Sequence, residues 1–249
     1  MAQGDWKKSP TIIKDEQYYN IIHVGPNGVT TPEEKSNPHI INVDGKTIKV
    51  LISEGAIRKR IDSLADYLSE YYGEEKVSSI DVVATLTGGM VFGSDIGRAL
   101  QSKDLSTMIR LNWYQLTSYD GEKSTGEPRI EKDLLHSIKG KHVLLTDDIA
   151  DTLTTADFTY LLNWENKYRK PRSMKAVTLL NKSTDKRISD MNVHEVSDFS
   201  QIISHPEALE YISGFHLGKD IFLMGYGMDG PNHFFRVYPF VGYIIDKRK

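Results

Sequence analysis

The sequence predicts an α/β fold with a mainly parallel, twisted sheet flanked by helices, and three observations predict it. Short, predominantly apolar runs recur at Ile80–Leu86, Val143–Thr146 and Met174–Leu180. Strands covered on both faces have this character, because neither face meets water. Helical-period segments lie between the runs: Ile57, Ile61, Leu64, Ala65 and Leu68 share one face, as do Val91, Ile96, Ala99 and Leu100. Polar turns join strand to helix at Thr87-Gly88-Gly89 and at Asp147–Thr155. Strands alternating with helices imply crossover connections and hence parallel pairing.

The elements follow in chain order. Residues 1–46 are rich in turn signals (Ser9-Pro10, Gly25-Pro26-Asn27-Gly28, Thr31-Pro32, Asn37-Pro38) and read as a partly ordered N-terminal extension. Its short apolar runs, Thr11–Ile13, Ile21-Ile22 and His39–Ile41, suit edge strands or an arm over a neighbour. Residues 47–249 form the main domain. Lys49–Ile52 is strand-like, Ser53 caps the next helix, and Gly73 ends it. Thr107–Trp113 is a further strand, followed by a polar loop over Leu116–Gly126. A helix carrying Phe158, Leu161 and Leu162 runs to about Tyr168, and Lys170-Pro171-Arg172 is a turn. Arg187–Leu209 is polar and irregular, with Pro206 opening a short helix. Phe222–Tyr226 and Val241–Ile245 are the last strands.

Composition narrows the function classes. Hydrophobic residues make up 39% and charged residues 26%, a balance that supports a packed core. A net charge of −3 argues against a general grip on nucleic acid. The chain has no cysteine, which excludes disulfides, thiolate metal sites and cysteine nucleophiles. No apolar run approaches the roughly 20 residues of a membrane span. No signal-peptide pattern follows Met1, so a soluble cytoplasmic protein is expected.

The stretch Val143–Thr155 concentrates the chemistry. The apolar run is followed by Asp147, Asp148 and Asp151, then by Thr152, Leu153, Thr154 and Thr155 at a helix start. Ligands of open α/β sheets sit at the carboxyl ends of the strands. Amides at a helix N-terminus attract phosphate, and carboxylates suit ribose hydroxyls or Mg²⁺. A sugar phosphate is the ligand this pattern favours. A turn merely capped by Asp and Thr has the same composition.

This stretch resembles the phosphoribosyl-diphosphate-binding motif of the type I phosphoribosyltransferases. The full set of motifs is similar to the hypoxanthine-guanine phosphoribosyltransferases. V-L-I-S-E-G-A-I, L-T-G-G at Leu86–Gly89, S-Y then S-T-G-E, L-L-N-K, F-L-M-G-Y-G-M-D and F-F-R occur in that family's order across roughly residues 48–245. The resemblance implies a type I core plus a small hood, built from the N-terminal segment and residues 181–249. It also implies phosphoribosyl diphosphate and a purine base as partners, with Mg²⁺ as cofactor. The purine would be a 6-oxopurine, and the assembly a homo-oligomer, dimer or tetramer.

The resemblance also implies roles. Asp147 and Asp148 hold ribose hydroxyls. Asp151 is the catalytic base at the purine N7 proton. The 5-phosphate rests on amides from Asp151 to Thr155, including Leu153 and Thr154, and on the hydroxyls of Thr152 and Thr155. Thr87, Gly88 and Arg236 meet pyrophosphate. Lys182, Phe222, Leu223 and Asp229 form the purine subsite, and Asp229, Asp147 and Asp148 serve Mg²⁺. Ser118 and Tyr119 lie in a loop that closes over the centre. Two positions depart from the family pattern: Leu153 stands where the phosphate loop has Gly, and Thr87 where the pyrophosphate loop has Lys. The departures keep a second reading open, a non-catalytic or weakly active paralogue that binds phosphoribosyl diphosphate or a purine nucleotide as a sensor or regulator.

Overall fold

The apolar runs become adjacent parallel strands. A computed structural model describes residues 8–120, 123–150, 170–182, 209–218, 221–231 and 234–245; for 18–19, 116–120, 123–129 and 209–210 it describes the backbone alone. The strands are β1 (Thr11–Ile12), β2 (Ile22–His23), β3 (Val29–Thr30), β4 (Ile40–Val43), β5 (Lys46–Ile52), β6 (Ser79–Leu86), β7 (Met108–Asp120), β8 (Lys123–Lys132), β9 (His142–Ala150), β10 (Ser173–Asn181), β11 (Leu209–His216) and β12 (Val241–Ile245). The helices are α1 (Glu54–Glu74) and α2 (Gly89–Lys103).

The main sheet has the order β2-β11-β10-β9-β6-β7-β8, parallel throughout except for the antiparallel pair β7–β8. A second sheet joins β1, β3, β4 and β5 to the last strand, β12. The segment before residue 47 is tied into both sheets. Ile22 pairs with Phe215 of β11, and Ile13, Ile22, Val24 and Val29 are buried in the main core.

Helix α1 buries the face that its spacing predicts: Ile57, Ile61, Leu64, Ala65 and Leu68 are all buried. Ser53 caps it, its Oγ accepting from the Ala56 amide at 3.3 Å. Glu34 reinforces that end, accepting from the Gly55 amide at 2.9 Å and from the Ser53 hydroxyl. Helix α2 lies close against the sheet because Gly93 and Gly97 face it. A Cβ on Gly93 would stand 2.6 Å from Thr146 Oγ1, and one on Gly97 2.9 Å from Leu111 Cδ2. That close approach sets the N-terminus of α2 over the ends of β6 and β9.

Four elements differ from the sequence reading. Strand β9 continues past Thr146 to Ala150, because β10 keeps pairing with it through Asn181↔Ala150. The polar loop expected over Leu116–Gly126 is instead occupied by the extended arms of β7 and β8, which flank the hairpin signal Asp120-Gly121. Phe222–Tyr226 forms no strand, only isolated bridges Met224↔Gly242 and Gly225↔Met228. Positive φ at Gly225 (90°), Tyr226 (48°) and Gly227 (95°) interrupts extension there. Strand β11 begins at Leu209, at the end of the stretch read as irregular, and its register against β10 supplies the partners that the local pattern did not announce. The helix expected around Phe158–Tyr168 and the stretch 187–208 lie outside the described residues.

Candidate active site at the switch point of the sheet

Strands β6 and β9 are neighbours, yet the chain leaves them in opposite directions. β6 leads through α2 to β7 on one side, and β9 neighbours β10 on the other. Pairing between them ends at Ala84↔Thr146. Past that point the carboxyl ends diverge and leave a crevice, the position where open α/β sheets bind ligands.

Thr87 and Gly88 form one wall. The Leu86–Thr87 peptide is cis, and Gly88 is the N-cap of α2, without a side-chain cap. Amides at the start of a helix lack partners one turn back, and such an end suits an anion. Asp147 and Asp148 form the floor. The Asp148 amide donates to Asp147 Oδ1 at 2.9 Å, which orients the first carboxylate. Thr85 also donates its hydroxyl to Asp147, and Thr85 Oγ1 lies 2.9 Å from the Tyr114 hydroxyl. Burial and then the neighbouring Asp148 charge push the Asp147 carboxyl well above the usual range; burial raises Asp148 too, partly offset by hydrogen bonds and by Arg236. Two carboxyls held in this way favour a cation beside them.

The segment 225–236 closes the second wall. Gly227 packs on the carbonyl of Gly88, and Gly88 in turn packs on the Asp148 carboxylate; a Cβ at either glycine would collide. Arg236 Nη1 donates to the Gly227 carbonyl at 2.6 Å, and Nη2 donates to Asp229 Oδ2 at 2.7 Å. The Gly227 amide returns a bond to the Arg236 carbonyl at 2.8 Å. Arg236 is thus fixed at the crevice, its charge felt by Asp148.

The structure therefore brings Thr87, Gly88, Asp147, Asp148, Asp229 and Arg236 to one place. Lys182 follows the end of β10, and its amide donates to the carbonyl of Ala150, the last residue of β9, at 2.9 Å. Phe222 is 68% exposed, so it is not a core residue, whereas Leu223 is buried. Ser118 and Tyr119 belong to the backbone of β7. Asp151, Thr152, Leu153, Thr154 and Thr155 lie outside the described residues. Sequence reasoning missed Thr85 and Tyr114, since no local pattern marks the residues that line up behind Asp147.

A switch-point crevice with a helix N-terminus, paired aspartates and a clamped arginine defines a protein that handles a phosphorylated sugar. Residues 53–210 match the phosphoribosyl transferase domain family, and the chain belongs to it, as a type I phosphoribosyltransferase of the hypoxanthine-guanine kind. It is 33% identical to the hypoxanthine-guanine-xanthine phosphoribosyltransferase of Tritrichomonas foetus, over 78% of this chain and 90% of that protein. It is 34% identical to the hypoxanthine-guanine phosphoribosyltransferase of Aquifex aeolicus, over 75% of this chain and 89% of the relative. Among solved structures, the hypoxanthine phosphoribosyltransferase of Trypanosoma cruzi in complex with its product IMP superposes with a TM-score of 0.62 at 25% identity, covering 84% of this chain and 100% of that one.

Proposed function

We propose that the protein transfers ribose 5-phosphate from phosphoribosyl diphosphate to a 6-oxopurine (hypoxanthine, guanine or xanthine), forming the nucleotide and pyrophosphate in purine salvage. The observation that carries this reading is the convergence of the Gly88 turn, the Asp147–Asp148 pair and the Asp229–Arg236 clamp at the switch point. The similarity to named purine phosphoribosyltransferases supports it. In the reaction the ribose C1 bond to pyrophosphate breaks, pyrophosphate leaves with the electron pair, and C1 bonds to a purine nitrogen.

The chain's residues divide the work. Asp147 and Asp148 bind the ribose hydroxyls. The loop Asp151–Thr155, including Leu153 and Thr154, holds the 5-phosphate with its amides and with the hydroxyls of Thr152 and Thr155. Asp151 takes the purine N7 proton. The Thr87–Gly88 turn and Arg236 receive pyrophosphate, where charge develops as it leaves. Lys182 donates to the purine O6, Phe222 stacks on the base, and Leu223 and Asp229 border it. Ser118 and Tyr119 cover the centre and exclude water.

Mg²⁺ fits this donor set. Among the described residues there is no cluster of three protein ligands. Mg²⁺ characteristically takes one or two carboxylates and completes its shell with substrate phosphates and water. Asp147, Asp148 and Asp229 supply hard oxygen donors, and the raised carboxyls of the pair are those a cation would stabilise. When bound, the ion would neutralise charge on the leaving pyrophosphate.

The proposed organisation is an arm (1–46) on a phosphoribosyltransferase domain (47–249), with the second sheet as the hood. No helix of the described residues is long and apolar enough to cross a membrane. A polyanionic donor does not cross membranes unaided, so the proposed compartment is the cytoplasm. A homo-oligomer, dimer or tetramer, suits the exposed Leu111 and Trp113 on β7.

Incubation with phosphoribosyl diphosphate, Mg²⁺ and each 6-oxopurine, read by chromatography, tests the proposal. IMP, GMP or XMP is the expected product, and no nucleotide from any base overturns it. Thr87 favours one second reading, since it removes a cation from the pyrophosphate turn: a sensor that binds donor or nucleotide. Binding by calorimetry without turnover identifies that protein.

A further inference from the structure

The wall that carries Asp229 and Arg236 is not held by the crevice alone. Its turn contains Tyr226, a buried non-glycine residue at φ 48° between two glycines of positive φ. A bulky residue there is strained and persists where its surroundings over-determine it. Two bonds do so. The Tyr226 amide donates to the Tyr238 carbonyl at 2.8 Å, and the Tyr226 hydroxyl donates to the carboxylate of Asp95 on α2. Asp95 is itself paired with Arg98 one turn further along the helix. Burial, then the Asp95 hydrogen bond and charge, push the Tyr226 hydroxyl up, so it remains a donor throughout the working pH range.

Helix α2 is the helix whose N-cap is Gly88. One rigid element therefore presents the anion-binding turn at its tip and grips the opposing wall through Asp95. Gly227, next to Tyr226, touches the Gly88 carbonyl, and Arg236 donates to the Gly227 carbonyl. We propose that Tyr226 and Asp95 are positioning residues that set the distance between the Gly88 turn and the Asp229–Arg236 clamp, and so set affinity for the pyrophosphate end of the donor. The proposal rests on the phosphoribosyltransferase reading. It concerns residues outside the set assigned above to the substrates.

The test uses Tyr226→Phe, Asp95→Ala and the double variant. Magnesium pyrophosphate affinity is measured by calorimetry, alongside KM for phosphoribosyl diphosphate and for the purine. Each single change should weaken pyrophosphate binding and raise the donor KM about tenfold, the order of one lost charge-assisted hydrogen bond. The purine KM should stay within twofold, and the double variant should be no worse than the weaker single variant, since both remove one bond. Unchanged constants, additive losses, or equal losses for purine and donor overturn the proposal. A wild-type protein that binds pyrophosphate but forms no nucleotide refutes the catalytic reading, and the titration then decides this inference alone. A wild-type protein that binds no pyrophosphate overturns both.

Discussion

The carboxylate of Asp148 occupies the space that a side chain on Gly88 would need, and the Gly88 carbonyl occupies the space that one on Gly227 would need. Three segments remote in sequence thus meet through contacts that tolerate no Cβ. Gly88→Ala should separate them. Forced overpacking costs about 1–3 kcal/mol, and a misplaced reacting group about 100-fold in rate. The expected result is kcat/KM reduced about 100-fold with a folded protein by circular dichroism. Near-normal kcat/KM would show that the close contact is not required.

Asp147 makes stability depend on pH in a defined direction. Its carboxyl is raised by burial and by Asp148. A carboxyl with a higher pKa when folded binds its proton more tightly in the native state. Its stabilising effect is complete below the unfolded value, about 3.9, and is lost as pH rises through the folded value. Asp147→Asn removes this loss. Without ligand or metal, the variant should melt a few degrees above wild type at pH 7.5, roughly 2–4 °C per kcal/mol for a chain of this size. The gap should close near pH 4, and ribose binding should weaken. A variant that melts lower at pH 7.5 counts against the assignment.

Lys175 offers the opposite case, far from the crevice chemistry. It is buried on β10 with its ammonium 3.4 Å from the centroid of the Tyr71 ring, and burial lowers it to about 8. The unfolded chain holds that proton more tightly, so stability is lowest below about 8 and rises with pH from there toward the unfolded value. Burial of the ammonium is what lowers it from 10.5 to about 8, and the ring offsets part of that cost. Lys175→Met should therefore stabilise the protein at pH 7 and flatten the rise between pH 8 and 10. Urea unfolding at several pH values measures both effects.

Glu34 should carry stability and no chemistry. It caps the start of α1 from outside the helix, through the Gly55 amide and the Ser53 hydroxyl. Glu34→Ala removes a carboxylate from a helix N-terminus, at a cost of about 1–2 kcal/mol. The urea midpoint should fall while kcat/KM stays within twofold. A large activity loss with unchanged stability would place Glu34 in the site instead.

The chain alone determined the local alphabet of this fold. Buried strands at Ile80–Leu86 and Met174–Leu180, the apolar face of α1 and the acidic run at Asp147-Asp148 are legible because short-range periodicity and composition encode them. The ordered motifs made the family legible as well. Tertiary structure decided the rest. It extended β9 through both aspartates, because pairing with β10 outlasts pairing with β6. It drew the arm's Ile22 and Val24 into the core through β11. It also set Tyr226 against Asp95, residues 131 positions apart. No window of sequence contains such a pair. The burial that raises Asp147 and the glycine contact that admits Asp148 depend on which remote segments come to lie against them, and only the folded chain specifies that.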